Sequence, residues 1–341
     1  MTGRDPSLKR LFGGGLRRTS RFASARAGSH GAVRTQKMRD FWYYGLRLRT
    51  NLPLEGLPPW PGEPDVPDLV LRAGAVPERL PGSPETSKIF AFNEEGHVLV
   101  SIANVFRLLS FDESRFLIEV TPEATIAAIE SYLLSHIAGL VLHRRRILPL
   151  HATCVMIEGR ALVICGHSGR GKSTLATALT RLGHTLLSDD ITAIRFDAKG
   201  TAFAIPGSPH SRLRRDSIIA NAIDAESLRD AREGDDKMVL RRELRHFEPT
   251  PVAAVIRLDL AAPSEGPGIE RLNGPKAVLP LAELVYRCAL GRKLGAASEI
   301  ANGALRLAAA APILRLTRPQ GLETLDLTVS LVLASFPVMP R

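Results

Sequence analysis

HATCVMIEGRALVICGHSGRGKSTLATALTRLGHTLLSDDITAI, residues 151–194, is the stretch on which the reading of this chain turns. Inside it, Gly166-His167-Ser168-Gly169-Arg170-Gly171-Lys172-Ser173 fits G-x-x-x-x-G-K-[ST], the spacing of a phosphate cradle. The glycines let the backbone turn tightly and bring its N–H groups against phosphate oxygens, where a Cβ would restrict the turn or block the approach. Lys172 is placed to reach the β- and γ-phosphates, and the Ser173 hydroxyl to ligate Mg²⁺. The flanks suit the motif. Ala161–Cys165 is a short apolar run that reads as a buried strand. Leu175, Ala176, Leu179 and Leu182 recur at helical spacing, and Gly183 stops the helix. A phosphate would then sit at a helix N-terminus. The expected nucleotide contacts run from Gly166 through Thr174, and ATP and Mg²⁺ are the expected cofactors.

Downstream, Thr185–Ile194 reads as an apolar strand interrupted by Asp189 and Asp190. Carboxylates are not buried in a strand without a partner, and a Mg²⁺ beside the cradle would be one. Neighbours on a strand point to opposite faces, so the two divide the work unless the strand ends there. One holds Mg²⁺, with Asp189 and Ser173 as the metal candidates. The other accepts the proton of an attacking hydroxyl. An Asp-Asp turn at a strand end is the bland alternative. His151 directly follows the apolar Ile147–Leu150 and precedes a hairpin, Cys154–Cys165, turned at Glu158-Gly159.

These residues resemble the catalytic domain of HPr kinase/phosphorylase: Leu150-His151, the cradle, the Arg181-Leu-Gly-His184 step and the Asp189-Asp190 pair. Further elements are similar to the HPr-kinase-like proteins that include lasso peptide kinases. They are Tyr44-Gly-Leu through Gly56-Leu-Pro58, Ile147-Leu-Pro-Leu-His-Ala152, Pro209-His-Ser-Arg212-Leu-Arg-Arg-Asp216 and Asp235-Asp236-Lys237. The likeness spans about residues 40–335 and is specific over 147–216. The "E-x-R-G-x-G" signature of the HPr enzyme is missing, which argues against HPr as substrate and against phosphorylase activity. The resemblance implies an α/β fold of the HPr-kinase/PEP-carboxykinase-like type, a P-loop domain with a mixed sheet. It implies Asp189, Asp190, His151 and Lys172 as catalytic residues and Arg212 and Lys237 as substrate contacts. It also implies transfer of a γ-phosphate to a serine hydroxyl of a peptide or small protein, in the lasso branch a precursor's C-terminal serine, and a ring-forming homo-oligomer. A small-molecule kinase or a non-transferring ATP-binding module would use the same cradle.

The chain has 341 residues and a formal charge of +10. Residues 1–37 hold nine Lys/Arg and one Asp, so +8 of that charge lies in an Arg/Ser/Gly-rich segment. Residues 1–38 read as a disordered basic tail without the apolar core of a secretory signal, and Met38 is an alternative start. The rest is almost neutral and carries no nucleic-acid reading motif, so nucleic acid is not expected as a partner. Residues 39–145 read as a β-rich region: an aromatic strand over 40–56, a proline-rich loop with a strand near Leu69–Leu71, a hairpin of Ile89–Phe92 and His97–Ser101, and strands at Phe106–Phe111 and Arg115–Val120. A helix capped by Thr121 runs to about His143. Its polar interruptions predict packing in a core rather than a membrane span. Residues 146–341 form the expected kinase domain, with a strand at Val252–Leu260, helices at Pro275–Leu294 and Ala296–Ala309, a strand at Ile313–Leu316 and a closing helix at Leu322–Phe336. Three cysteines without metal spacing fit a reducing, cytoplasmic setting.

Overall fold

Two sheets, each built from one continuous half of the chain, carry the architecture. A computed structural model describes residues 35–63, 65–83, 87–208, 210–224, 228–230, 237–262 and 264–336. The basic segment up to residue 34, Pro209 and Asp235-Asp236 lie outside the described residues.

The first sheet contains β1 (Arg39–Tyr43), β2 (Leu46–Thr50), β3 (Leu69–Ala73), β4 (Phe90–Phe92), β5 (Val98–Ile102), β6 (Phe106–Ser110) and β7 (Arg115–Val120). Its order is β1-β2-β3-β7-β6-β5-β4. The expected single strand over 40–56 is instead a hairpin. Tyr44 and Gly45 both take positive φ, 53° and 74°, and reverse the chain. β3 runs parallel to both β2 and β7.

Packed on this sheet is the apolar helix, made of an α segment Ile126–Tyr132, a π turn Leu133–Ile137 and a second α segment Ala138–Arg144. Its cap is Thr125, not Thr121: the Thr125 hydroxyl accepts from Ala128 N at 3.1 Å. Thr121 is held back because its own N–H closes a loop onto Val105 O. The Tyr43 and Tyr44 hydroxyls donate to the Leu133 and Leu134 carbonyls at the π turn. Ile126–Arg144 is long and apolar enough to cross a membrane, yet 61% of its most apolar window is buried inside the fold. Ile129, Leu133, Ile137 and Leu140 share one core with Phe41, Leu48 and Phe106, and also with Ile191, Ala193 and Ile205 from the second half of the chain.

The second half contributes β8 (Leu148–Leu150), β9 (Ala152–Ile157), β10 (Arg160–Cys165), β11 (Thr185–Ser188), β12 (Thr192–Phe196) and β13 (Ala202–Ile205). It continues with β14 (Ser211–Arg214), β15 (Leu228–Asp230), β16 (Lys237–Leu240), β17 (Thr250–Leu260), β18 (Gly268–Leu272) and β19 (Ile313–Arg318). A nine-stranded mixed sheet runs β11-β9-β10-β17-β13-β12-β8, with β19 pairing β17 and β18. β10, β17 and β19 are parallel at its centre. Helices cover both faces, and the strand period shows in β10. Ala161, Val163 and Cys165 pack with the helices Pro275–Glu283 and Ala297–Ala310, while Leu162 and Ile164 pack with Lys172–Arg181 and Leu325–Ser335. β14, β16 and β15 form a small separate sheet. Cys154 and Cys165 are buried free thiols on the same face, and burial pushes the Cys165 thiol up to about 12.

Two expectations change here. Thr185–Ile194 is not one strand: β11 pairs β9 at one edge, and β12 pairs β8 and β13. Pro275–Leu294 is not one helix either. It breaks between Glu283 and Cys288, where Tyr286 N donates to Pro149 O and His151 N to Leu284 O. The backbone leaves the helix because β8 needs those partners.

Candidate active site at the glycine loop

The loop between β10 and the helix Lys172–Arg181 is shaped by what a side chain would strike. Gly166 has φ +147°, and a Cβ there would lie 3.0 Å from the Leu258 carbonyl of neighbouring β17. Gly171, the left-handed N-cap of the helix, lies against the Arg318 guanidinium at the end of β19, and a Cβ would collide with it. From the first turn of the helix Lys172 folds back into the loop. Its buried ammonium donates to Gly166 O at 2.7 Å and His167 O at 3.3 Å, and it lies 3.2 Å from His151 Nε2. Ser168, Gly169, Gly171, Lys172, Ser173 and Thr174 line a cleft beside the loop. Gly166, His167 and Arg170 do not line it and enter the site through their backbone. The Arg170 carbonyl accepts from Arg318 at 3.3 Å, and the His167 side chain is exposed.

Asp189 and Asp190 form a turn between β11 and β12, and both line the same cleft. The bland reading of the pair and the functional one are therefore the same structure. Asp190 takes φ +68°, which aspartate tolerates better than most residues. The turn sends the neighbours to different depths. Asp189 is buried, and its Oδ1 collects three donors: the Thr153 hydroxyl, the Ser173 hydroxyl at 3.0 Å and Asp190 N at 3.0 Å. Burial raises its carboxyl above the usual range and the neighbouring Asp190 adds to this, against the donors from Thr153 and Ser173. Asp190 is half-buried, with its side chain 35% exposed.

His151 links the lysine to Asp190. Its Nδ1 lies 3.0 Å from Asp190 O and 3.3 Å from Asp190 Oδ1. Burial first, and then the charge of Lys172, hold its imidazole below the ordinary histidine value. A neutral ring beside an ammonium accepts at Nε2, so the proton is assigned to Nδ1, which donates toward Asp190. The Tyr286 ring, from the helix break, sits 6.0 Å from the imidazole.

Arg212 lies on β14 opposite Val239, and Lys237 begins β16 opposite Arg214; the side chains of both are outside the described part of the structure. Leu213, Arg214, Asp216 and Ser217, close to Arg212 in the chain, line the cleft. Ser217 meets Thr174 at 2.7 Å, Oγ to Oγ1. Arg242 is tied to Ser211 and Thr180 and serves the structure there. Thr153 and the wall Arg318–Leu322 were not expected. Arg318 donates to Gly321 O at 2.7 Å as well as to Arg170 O, and burial lowers its guanidinium. Thr153 carries a weak signal, being two residues past His151. Arg318 carries none, being distant in the chain.

The donor set suits Mg²⁺. This ion keeps several waters and takes one or two protein ligands besides phosphate oxygens. The Ser173 hydroxyl and the Asp189 carboxylate supply that number, already 3.0 Å apart. Among the described residues no cluster of three His, Cys, Asp or Glu side chains could hold a metal without such help.

No protein-family model matches the chain, and no curated protein matches it. One similar solved structure is the Hpr(Ser) kinase/phosphatase from Coxiella burnetii, at 15% identity and a TM-score of 0.30, over 56% of this chain and 97% of that one. At that TM-score the match adds nothing to the residues themselves, and the functional reading rests on the cleft.

Proposed function

We propose that this protein is an ATP-dependent kinase that transfers the γ-phosphate to a serine hydroxyl of a peptide or small protein, with a lasso precursor's C-terminal serine as the favoured acceptor. The observation that carries the transfer is the chain Lys172–His151–Asp190 at the mouth of the glycine loop. A module that only held nucleotide would not need a half-open carboxylate oriented by a neutral histidine. The serine acceptor is supported by the sequence resemblance.

When bound, ATP with Mg²⁺ supplies the transferable phosphoryl group and the divalent charge that offsets it. The loop amides and Lys172 hold the phosphate oxygens. Ser173 and Asp189 would hold the ion, and the charge they meet there favours the ionised form of Asp189. Asp190 hydrogen-bonds the acceptor hydroxyl and takes its proton as the oxygen attacks. His151 fixes Asp190 through Nδ1–H and is a positioning residue. The test is mass spectrometry of a Ser-terminated precursor peptide from the gene neighbourhood, incubated with the protein, ATP and Mg²⁺. One added phosphate, lost in Lys172→Ala, is the expected result. Bound ATP with no phosphorylated peptide would sink the peptide acceptor and move the reading to a metabolite hydroxyl or a nucleotide switch.

A further inference from the structure

Away from the glycine loop a second pocket, of about 380 Å³, opens beside β8, β12 and the helix Ala297–Ala310. It shares no lining residue with the cleft. Four arginines line it, Arg145, Arg146, Arg195 and Arg306, against one carboxylate, Glu299. His143, also on its wall, is held below the ordinary histidine value by burial and adds no charge near neutral pH.

Arg146 is paired with Glu299 and Arg195 feels Asp68, while Arg145 and Arg306 are anchored by uncharged groups. Arg145 is held by main-chain carbonyls, with Nε on Glu113 O at 3.0 Å and Nη2 on Asp68 O. Arg146 takes φ +56° and binds Gly295 O at 3.0 Å and Glu299 at 3.2 Å. Arg306 stacks its guanidinium 4.2 Å from the Phe196 ring centroid, which fixes its plane without neutralising it. The Arg195 residue is exposed, yet the protein packed around its guanidinium lowers it, Asp68 opposes this, and Arg145 adds to it. Like charges gathered on one pocket cost energy that a bound anion relieves. Planar guanidinium forks match a tetrahedral oxyanion two bonds at a time. Ile194 and Phe196 add apolar wall beside the charges.

We propose that this pocket binds a small phosphate-bearing molecule, whose shared chemistry is a tetrahedral dianion, free or as a monoester. Its volume is that of a small-ligand site. The inference stands on the pocket alone and does not depend on the kinase reading. Its place is nonetheless notable: β8 and β12 pair Leu148 with Ile194, Pro149 with Ala193 and Leu150 with Thr192. The pocket lies at one end of this two-stranded ribbon, and His151 and Asp190 lie just past the other.

The test is calorimetric titration of the full chain carrying Lys172→Ala, which weakens phosphate capture at the glycine loop. Inorganic phosphate and glycerol 3-phosphate are the titrants. One equivalent should bind. Adding Arg195→Gln and Arg306→Gln, both at exposed positions, should weaken the dissociation constant on the order of a hundredfold, about tenfold per guanidinium. Tighter binding of the ester assigns an organic phosphate and tighter binding of the inorganic ion assigns free phosphate; either supports the site. No saturable binding of either titrant, or an affinity unchanged by the arginine substitutions, overturns it. Should the double substitution fail to fold by circular dichroism, Arg306→Lys takes its place. That variant keeps the charge and loses the fork, and a several-fold weakening is expected.

Discussion

The floor and the mouth of the cleft use the same residue type for opposite ends. Asp189, on the floor, is buried against Thr153 and Ser173, and its carboxyl is pushed toward the neutral form. Asp190, one residue on, is half open to solvent and faces His151. A single left-handed residue at the turn separates the two depths. The difference teaches that neighbouring carboxylates can meet very different surroundings without any distance in sequence, and the proposed division of ion binding from proton transfer rests on that difference in burial.

Substitutions can break this comparison or sharpen it. The largest effect should come from Lys172→Ala, which touches both depths. Phosphoryl transfer, followed with labelled ATP, should fall on the order of 10²–10³-fold. Next, Asp190→Asn should lower kcat by about 10²-fold or more while nucleotide affinity stays within about twofold. If affinity fell in parallel, the mouth would not be separate from the floor. Asp189→Asn should do the reverse. Its amide oxygen can still accept from Thr153 and Ser173, while the buried charge is gone. Mg²⁺-dependent nucleotide affinity should drop on the order of tenfold, and unfolding free energy in denaturant should rise by about 1 kcal/mol. A variant no more stable than the parent would show that Asp189 is not strained by its burial.

The smallest effect is a pH dependence. The folded-state value of His151 is depressed, so the unfolded chain takes up a proton first as pH falls through the ordinary histidine value near 6.5. Stability conferred by the neutral ring is therefore complete above that value and is lost progressively below it. Transfer should decline over a still more acid window, once His151 itself protonates and sets a second positive charge beside Lys172. His151→Gln should flatten that acid limb in a pH–rate profile, and a limb that persisted unchanged would assign it to another group.

The glycine loop was legible because its chemistry is local. Strand, glycines, lysine and helix follow one another, and each is required by backbone geometry. The Asp pair was legible as a pair, and its turn only as an alternative, because apolar residues resume directly after it at Ile191. Only the pairing of β11 with β9 and of β12 with β8 shows where the strand must break. Similarly, the helical period of Pro275–Leu294 gives no sign of its interruption, which exists to satisfy Pro149 and His151 from outside. Arg318 was invisible for a different reason. It meets Arg170 across 148 residues of chain, and an arginine ending a strand reads as solvent-facing until β19 is laid beside β17. Legibility failed wherever a residue answers to a partner far away in sequence.

Lys172 has one more consequence. An ammonium has three hydrogens, and here Gly166 O, His167 O and His151 Nε2 all lie within their reach. To grip a phosphate oxygen the lysine must let go of at least one of these three, and His167 O at 3.3 Å and His151 at 3.2 Å are its longest bonds. Where the histidine contact is the one displaced, a phosphate at the loop and the setting of Asp190 are coupled through a single ring, His151.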